Sequence, residues 1–147
     1  MKYKINDLND LEEFAKIFLQ KISIIKSEKA LVVCLNGDLG SGKTTFTQLV
    51  ANLLNIKEKV ISPTFIISKI YNIHKNEYLI QKKLVHIDAY RLKNEEGLKN
   101  IGFYEQVENR DNIIFIEWSD IVKKGLLKNC ISINFKYLDL EKNLREV

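Results

Sequence analysis

The stretch Gly37-Asp38-Leu39-Gly40-Ser41-Gly42-Lys43-Thr44 decides the fold of this 147-residue chain. It fits G-x-x-x-x-G-K-[ST] at every fixed position, and its glycines let consecutive backbone amides converge on phosphate oxygens. In such a loop the lysine reaches the β- and γ-phosphates, and the Thr44 hydroxyl can ligate magnesium. A random match in a chain of this length is expected in roughly 1 of 200 sequences. We therefore predict binding of a nucleoside triphosphate, ATP with Mg²⁺, by Asp38, Leu39, Gly40, Ser41, Gly42, Lys43, Thr44 and Thr45.

The segments that flank this loop predict an α/β fold. The short apolar run Ala30–Leu35 reads as a strand buried on both faces, as in a parallel sheet. A helix is predicted from about Lys43 to Leu54, with its positive end directed at the bound anion. Further upstream, three- and four-residue spacing of apolar residues predicts an amphipathic helix over Leu8–Ile25, capped by Asn6 or Asp7.

Downstream of the loop, strand and helix patterns continue to alternate. The extended runs Ile61–Tyr71 and Tyr78–Ala89, joined by turn residues, predict a hairpin. The remaining predicted elements are a helix from Asn94 to near Gly102, a buried strand Ile113–Ile116, a brief helix Ser119–Lys124, and a half-exposed strand from Ile131 to Tyr137. This order predicts one three-layer domain over residues 1–147, P-loop NTPase-like, with a mixed, mainly parallel sheet and an added hairpin.

Composition and charge exclude several classes of protein. The chain is 46% hydrophobic and 29% charged with a single proline, as expected for a folded domain without a linker. Its 23 basic residues include only three arginines, which argues against a dedicated nucleic-acid binder. No apolar run approaches the ~20 residues that a membrane span needs, and the start lacks a secretion signal. We expect a cytoplasmic protein without membrane contact, in which Cys34 and Cys130 are buried, reduced thiols.

A carboxylate at the end of a strand beside the loop is needed to complete a magnesium site. Glu117 directly follows the apolar run Ile113–Ile116 and is the predicted metal residue together with Thr44. Glutamate reaches one carbon further than the more usual aspartate, so it can act through water. The alternative is an ordinary ion pair at a strand end.

Two further segments carry candidate catalytic residues. His86, Asp88 and Tyr90 lie two apart on the second extended run, so their side chains are predicted to project from one face. Asp88 is predicted to position the attacking water or to join the metal shell, the alternative being a hydrogen-bond network at the strand edge, and His86 is expected to be structural. Thr64, beside the single proline, is predicted to sense the γ-phosphate, unless its segment is a simple transition into the strand. The predicted catalytic residues are thus Asp88, Glu117 and Thr64.

Taken together, these segments resemble the TsaE (YjeE) family, small bacterial ATPases of tRNA threonylcarbamoyladenosine synthesis. The segments that carry the resemblance are Gly37–Phe46, Ser62-Pro63-Thr64-Phe65, His86-Ile87-Asp88-Ala89-Tyr90-Arg91-Leu92 and Ile116-Glu117-Trp118. Two residues depart from the family pattern, since Ser41 stands where alanine is usual and Ser119 where proline often follows the Glu-Trp pair.

The resemblance implies more than the residues do alone. It implies hydrolysis of ATP while docked on TsaB and TsaD, in attaching a threonylcarbamoyl group to the adenosine beside the anticodon, with tRNA reached through the complex. By matching positions, Thr44 and Glu117 are implied magnesium ligands, Lys43 the phosphate lysine, and Asp88, Thr64 and Trp118 the active-site surround.

Two other classes use the same loop. A small-molecule kinase is the main alternative, although three arginines leave little from which to build a lid, and a nucleotide-switched binding module is a further one. A GTPase is excluded because the chain has no Asn-Lys-x-Asp segment.

Overall fold

A single seven-stranded sheet organises the computed structural model, which describes residues 2–63, 65–139 and 144–147. The strands, in sheet order β1-β7-β6-β2-β5-β4-β3, are β1 Lys4–Ile5, β2 Leu31–Gly37, β3 Ser68–Asn72, β4 Lys83–Asp88, β5 Asn112–Glu117, β6 Ile131–Asp139 and β7 Leu144–Glu146. The four central strands β6, β2, β5 and β4 pair in parallel, and β3, β7 and β1 pair antiparallel at the two sides. The predicted mixed sheet with a parallel centre is confirmed.

Helices cover both faces of this sheet. The helices are α1 Leu8–Ile22, α2 Lys43–Leu53, α3 Glu95–Asn100 and α4 Phe103–Glu108, with 3-10 helices at Ala89–Arg91 and Ser119–Gly125. One core cluster joins α1 and α2 to the sheet, and a second joins α3, α4 and the Ser119–Gly125 helix to its other face. The three-layer α/β prediction is therefore confirmed. None of the described helices is long and apolar enough to cross a membrane.

The continuous apolar run of β2 is explained by these two layers. Leu31, Val33 and Leu35 belong to the cluster with α1 and α2, whereas Val32 and Cys34 belong to the cluster on the opposite face. A strand buried on both faces has no side that favours polar residues.

Aromatic packing fixes the start of α2 on the sheet. Phe46 is fully buried and its ring stacks on Phe115 at an interplanar angle of 12° and a centroid distance of 6.1 Å. Phe18 of α1 contacts the Phe46 ring edge-on, and the ring centroid of Phe135 of β6 lies 5.8 Å from that of Phe46. Such ring pairs contribute about 0.5–1.5 kcal/mol each beyond their buried area. The first turn of α2 is thereby held at the end of the sheet.

Two glycines make the passage from β2 into α2 possible. Gly37 has φ +138°, and a Cβ there would lie 2.4 Å from the Phe135 carbonyl oxygen. Gly42 has φ +107° and is the N-cap of α2. A side chain at either position would be strained by the positive φ. At Gly37 it would also clash with the Phe135 carbonyl oxygen, a backbone atom that cannot move aside.

Several predicted boundaries differ from those of the structure. The first helix ends at Ile22 instead of Ile25, with the Ser23 amide bonded to the Leu19 carbonyl. The run predicted as a strand over Ile61–Tyr71 becomes a strand only at Ser68, after a turn in which Ile67 has φ +66°.

The second run of the hairpin is also shorter than predicted. The strand starts at Lys83 and not at Tyr78, because the Asn76 side chain accepts hydrogen bonds from the amides of Tyr78 and Leu79. The predicted hairpin exists, since β3 pairs with β4, but its connection runs over residues 73–82.

Some short elements were not predicted at all. The helix α4 is one of them, and its N-cap is Gly102, which has φ +72°. The strands β1 and β7 are only two and three residues long, too short for a periodicity to be visible. The predicted helix Ser119–Lys124 exists as a kinked 3-10 helix that extends to Gly125.

Candidate functional site

A pocket of about 300 Å³ lies where β2, β4 and β5 end and α2 begins. It is lined by the loop and by residues at the ends of β4 and β5, namely Leu39, Gly40, Ser41, Gly42, Lys43, Thr44, Thr45, Ser62, Asp88, Tyr90, Glu117 and Trp118. Of the predicted nucleotide-binding residues, all but Asp38 line this pocket. The carboxyl ends of parallel strands are where ligands bind in open α/β sheets.

The loop presents an anion-binding surface. Gly40 and Gly42 both have positive φ, and the helix that Gly42 starts has no side-chain cap. The first amides of a helix have no intrahelical acceptor, and they carry the positive end of its dipole. The buried Ser41 hydroxyl has no hydrogen-bond partner among the described residues. These unsatisfied donors suit a phosphate group.

Lys43 is held deep in the site although it carries a charge. Its side chain is 4% exposed, and Nζ donates to the carbonyl oxygens of Gly37 and Asp38 at 2.6 and 2.9 Å. Nζ also lies 4.1 Å from the centroid of the Trp118 ring. Burial lowers the pKa of Lys43, and the nearby carboxylates, first Glu117 and then Asp88, oppose this shift. The ammonium is thus positioned at the loop by main-chain oxygens and an aromatic face.

Glu117 joins the loop to β4. The Thr44 hydroxyl lies 2.8 and 2.9 Å from the two carboxylate oxygens, and His86 Nε2 lies 2.8 Å from Oε1. Because a carboxylate only accepts, His86 donates through Nε2. The parallel register His86↔Phe115 brings the His86 and Glu117 side chains together, and Leu35↔Glu117 sets Glu117 beside the end of β2, from which the loop leads to Thr44.

The hydroxyl of Thr44 and the carboxylate of Glu117 are suitable ligands for a hard divalent cation. Within the described parts of the chain, no group of three His, Cys, Asp or Glu side chains could hold a metal ion. A cation at this position would therefore need oxygens from phosphate and water, as magnesium usually does in nucleotide sites.

Asp88, the last residue of β4, lines the same pocket as the loop. The carboxylate accepts from the Tyr90 amide at 3.0 Å, which caps the Ala89–Arg91 helix, and from the Ser62 hydroxyl at 3.1 Å. The strand ends at Asp88, so the prediction that Tyr90 continues the same extended face is wrong. Tyr90 instead lies in the 3-10 helix, with its ring 5.2 Å from that of Trp118.

The predicted sensor, Thr64, lies outside the described residues. On one side of it, Ser62 lines the pocket. On the other, Phe65 is 84% exposed, and the Arg91 guanidinium lies 4.8 Å from its ring.

Sequence reasoning missed a polar junction beneath the site. Asn36 Oδ1 accepts from the Ser119 hydroxyl and the Asp120 amide, and its Nδ2 donates to Asn134. This side chain ties the start of the loop to the segment after Trp118 and to β6. The available signal was a polar residue near the end of an otherwise apolar strand, directly before Gly37.

Comparison with known proteins finds relatives that match most of this chain. The family model described as Threonylcarbamoyl adenosine biosynthesis protein TsaE matches residues 5–147. The tRNA threonylcarbamoyladenosine biosynthesis protein TsaE of Rickettsia prowazekii is 35% identical over 143 residues, covering 97% of this chain and 90% of that protein. The protein of the same name from Haemophilus influenzae is 35% identical over 140 residues, covering 95% and 84%.

A solved structure is similar over nearly the whole chain. The crystal structure of Bacillus subtilis YdiB superposes with a TM-score of 0.73 at 27% identity, covering 99% of this chain and 81% of that one. Together with the family match over residues 5–147, these similarities show that the chain belongs to the TsaE family of threonylcarbamoyl adenosine biosynthesis proteins.

Proposed function

We propose that this protein binds ATP with Mg²⁺ and hydrolyses it in the synthesis of threonylcarbamoyladenosine in tRNA, docked on TsaB and TsaD. The observation that carries the proposal is the phosphate loop with Lys43 buried at its centre and Thr44 in contact with Glu117. Membership of the TsaE family supports the assignment of the proposed activity to threonylcarbamoyl adenosine synthesis.

In this proposal the loop and Lys43 bind the phosphates. The amides of Asp38 to Thr45 surround the phosphate oxygens, and the buried ammonium supplies the main side-chain charge. Ser41, whose buried hydroxyl has no partner among the described residues, supports an anion in this place. Trp118 keeps Lys43 aligned through its ring face.

Thr44 and Glu117 are the proposed magnesium residues. His86, which bonds to the Glu117 carboxylate, orients it. Magnesium, when bound, neutralises charge on the phosphates during transfer. Asp88 lines the same pocket as the loop and is proposed to orient the attacking water. Its bonds to Ser62 and to the Tyr90 amide fix its direction. Thr64 remains the proposed sensor of the γ-phosphate.

The surroundings of the pocket support docking on other proteins. Leu39 and Tyr90 line the pocket and are more than half exposed, and Phe65 and Ile66, which follow the pocket residue Ser62 closely in sequence, are also more than half exposed. Exposed apolar surface of this kind marks an interaction site. Among the described side chains no arginine lines the pocket. An arginine that stabilises the transition-state charge in phosphoryl transfer often raises the rate by roughly 10³-fold or more. We therefore expect the isolated chain to be a weak ATPase that its partners activate.

The experiment is complementation of bacteria that lack their own TsaE, with threonylcarbamoyladenosine in total tRNA measured by mass spectrometry of nucleosides. The parent chain should restore the modification, and the Lys43→Ala variant should not. Phosphate release should be slow for the chain alone and rise when TsaB and TsaD are added. Transfer of phosphate to a small acceptor, with no effect on tRNA, would instead favour a kinase. The proposal implies a cytoplasmic protein, because tRNA is modified there.

A further inference from the structure

The turn that follows β5 has a backbone conformation that is costly for the residue in it. Trp118 has φ +57° and ψ 39°, in the left-handed region that a bulky side chain rarely adopts. It is also the N-cap of the 3-10 helix Ser119–Gly125, and its side chain makes no capping hydrogen bond. Such a conformation persists only where neighbouring groups hold it. The groups that hold Trp118 therefore affect the pocket that it lines.

Asn36, the residue before the phosphate loop, supplies the missing cap from the neighbouring strand β2. Its Oδ1 accepts from the Asp120 amide at 3.2 Å and from the Ser119 hydroxyl at 2.5 Å. An N-cap side chain normally accepts from the second or third amide of its helix, and Asp120 is the second residue of this one. Asn36 thus acts as an N-cap from a distant part of the sequence.

The hydrogen bonds of Asn36 connect two groups that direct Lys43. Asn36 directly precedes Gly37, whose carbonyl oxygen accepts from Lys43 Nζ at 2.6 Å. The Trp118 ring, whose centroid lies 4.1 Å from the same Nζ, belongs to the turn that Asn36 caps. The position of the ring relative to the carbonyl oxygen therefore depends on the cap.

The predicted metal residue does not need this cap. Glu117 is the last residue of β5, and its backbone is fixed by its register with Leu35 of β2. Its carboxylate has the hydrogen-bond partners described above. Loss of the cap at Asn36 should therefore release Trp118 from Lys43 and leave Glu117 in place.

We propose that Asn36 is a positioning residue of the nucleotide site, which caps the turn after β5 and thereby holds the Trp118 ring against Lys43. The inference rests on the proposed function, in which Lys43 binds the phosphates. Asn36 acts through Trp118 and not on the phosphates or the metal. Its effect on ATP binding should therefore require Trp118 and should be independent of Mg²⁺.

The first test needs no nucleotide. Trp118 is the only tryptophan of the chain, so quenching of its fluorescence by acrylamide reports how well the ring is covered. Asn36→Leu nearly keeps the size of the side chain but removes the acceptor, and it should raise the quenching constant about twofold. Asn36→Asp keeps the acceptor and should give the parent value. The matched control is Asn134→Ala, which removes only the bond that Asn36 Nδ2 donates at 3.2 Å, and it should also quench as the parent does.

The second test is calorimetric titration of ATP, with Mg²⁺ and with EDTA. Asn36→Leu should weaken ATP binding about fivefold in both buffers, the loss expected when an N-cap is removed. In a Trp118→Leu background the same change should alter the affinity by less than about twofold, because the ring through which Asn36 acts is absent. Asn134→Ala should bind ATP as the parent does.

Three results would overturn the inference. Equal quenching in the parent and in Asn36→Leu would show that the cap does not hold the turn. An undiminished effect of Asn36→Leu in the Trp118→Leu background would show that Asn36 acts without the ring. A loss of affinity only in the presence of Mg²⁺ would assign Asn36 to the metal site.

Failure of the proposed function would give a different result. A parent chain that binds no ATP in either buffer would overturn that function and, with it, the role of Asn36 in nucleotide binding. The parent titration alone shows this, whereas the three results above are differences between variants and the parent.

Discussion

Replacing Glu117 by glutamine removes one charge from the site while keeping its shape. The Glu117 carboxylate is buried. Its Oε1 lies 2.8 Å from Thr44 Oγ1 and 2.8 Å from His86 Nε2, and its Oε2 lies 2.9 Å from Thr44 Oγ1. A glutamine can accept from His86 with its oxygen and donate to Thr44 with its nitrogen. Because both neighbours stay satisfied, we expect a loss of only about 1 kcal/mol in the free energy of unfolding.

The effect on magnesium should be much larger than the effect on the fold. The amide cannot ligate a cation through its nitrogen, and the contact that remains is neutral. Loss of one charge-assisted interaction, worth about 1.5–3 kcal/mol, corresponds to roughly 10- to 150-fold in affinity. We therefore expect Glu117→Gln to reduce ATP affinity by this factor in the presence of Mg²⁺. In EDTA the affinity should change by less than about threefold, since the amides of the loop and Lys43 supply it.

The assay is calorimetric titration of ATP into the parent and variant, with Mg²⁺ and with EDTA. Glu58→Gln, at an exposed position away from the pocket, is the matched control and should behave as the parent in both buffers. Equal losses with and without Mg²⁺ would refute the metal role of Glu117 and make it a structural carboxylate. A parent-like titration in both buffers would locate the metal elsewhere.

Three other predictions concern Lys43, His86 and Cys34. Lys43→Ala should weaken ATP binding at least about 30-fold by calorimetry, because a buried charge that faces the phosphates is lost, whereas Lys57→Ala should have no effect. His86→Phe should raise the Mg²⁺ concentration needed for half-maximal ATP binding about 10- to 100-fold. His86→Gln keeps a donor near Glu117 and should raise that concentration less. Equal behaviour of the two variants would contradict the orienting role of His86. Burial raises the pKa of the Cys34 thiol from 9.0 to about 12, so the folded state should resist alkylation of this residue by iodoacetamide at pH 8 until denaturant is added, as read by peptide mass spectrometry. The proton retained by Cys34 stabilises the fold below pH 9, and this contribution should be lost as the pH rises towards about 12.

Local sequence was sufficient for the loop and for the elements next to it. The positions from Gly37 to Thr44 are contiguous, and their chemistry depends on main-chain conformations that glycine itself permits. The buried strands β2 and β5 could also be predicted from the sequence, because burial on both faces requires a continuous apolar run in a parallel sheet. Prediction was poor where conformation depends on one side chain, as at Asn76, which turns the chain and delays β4 until Lys83.

Contacts between distant residues were decided only by the tertiary structure. Glu117 was predicted from the strand before it, but its contact with His86 follows from the register of β4 on β5, which packing on both faces of the sheet determines. The position of Trp118 beneath Lys43 depends in the same way on the turn after β5, where Trp118 has φ +57°. Periodicity in a sequence reports which side of an element is buried, whereas the neighbour on that side is chosen by the packing of the whole sheet.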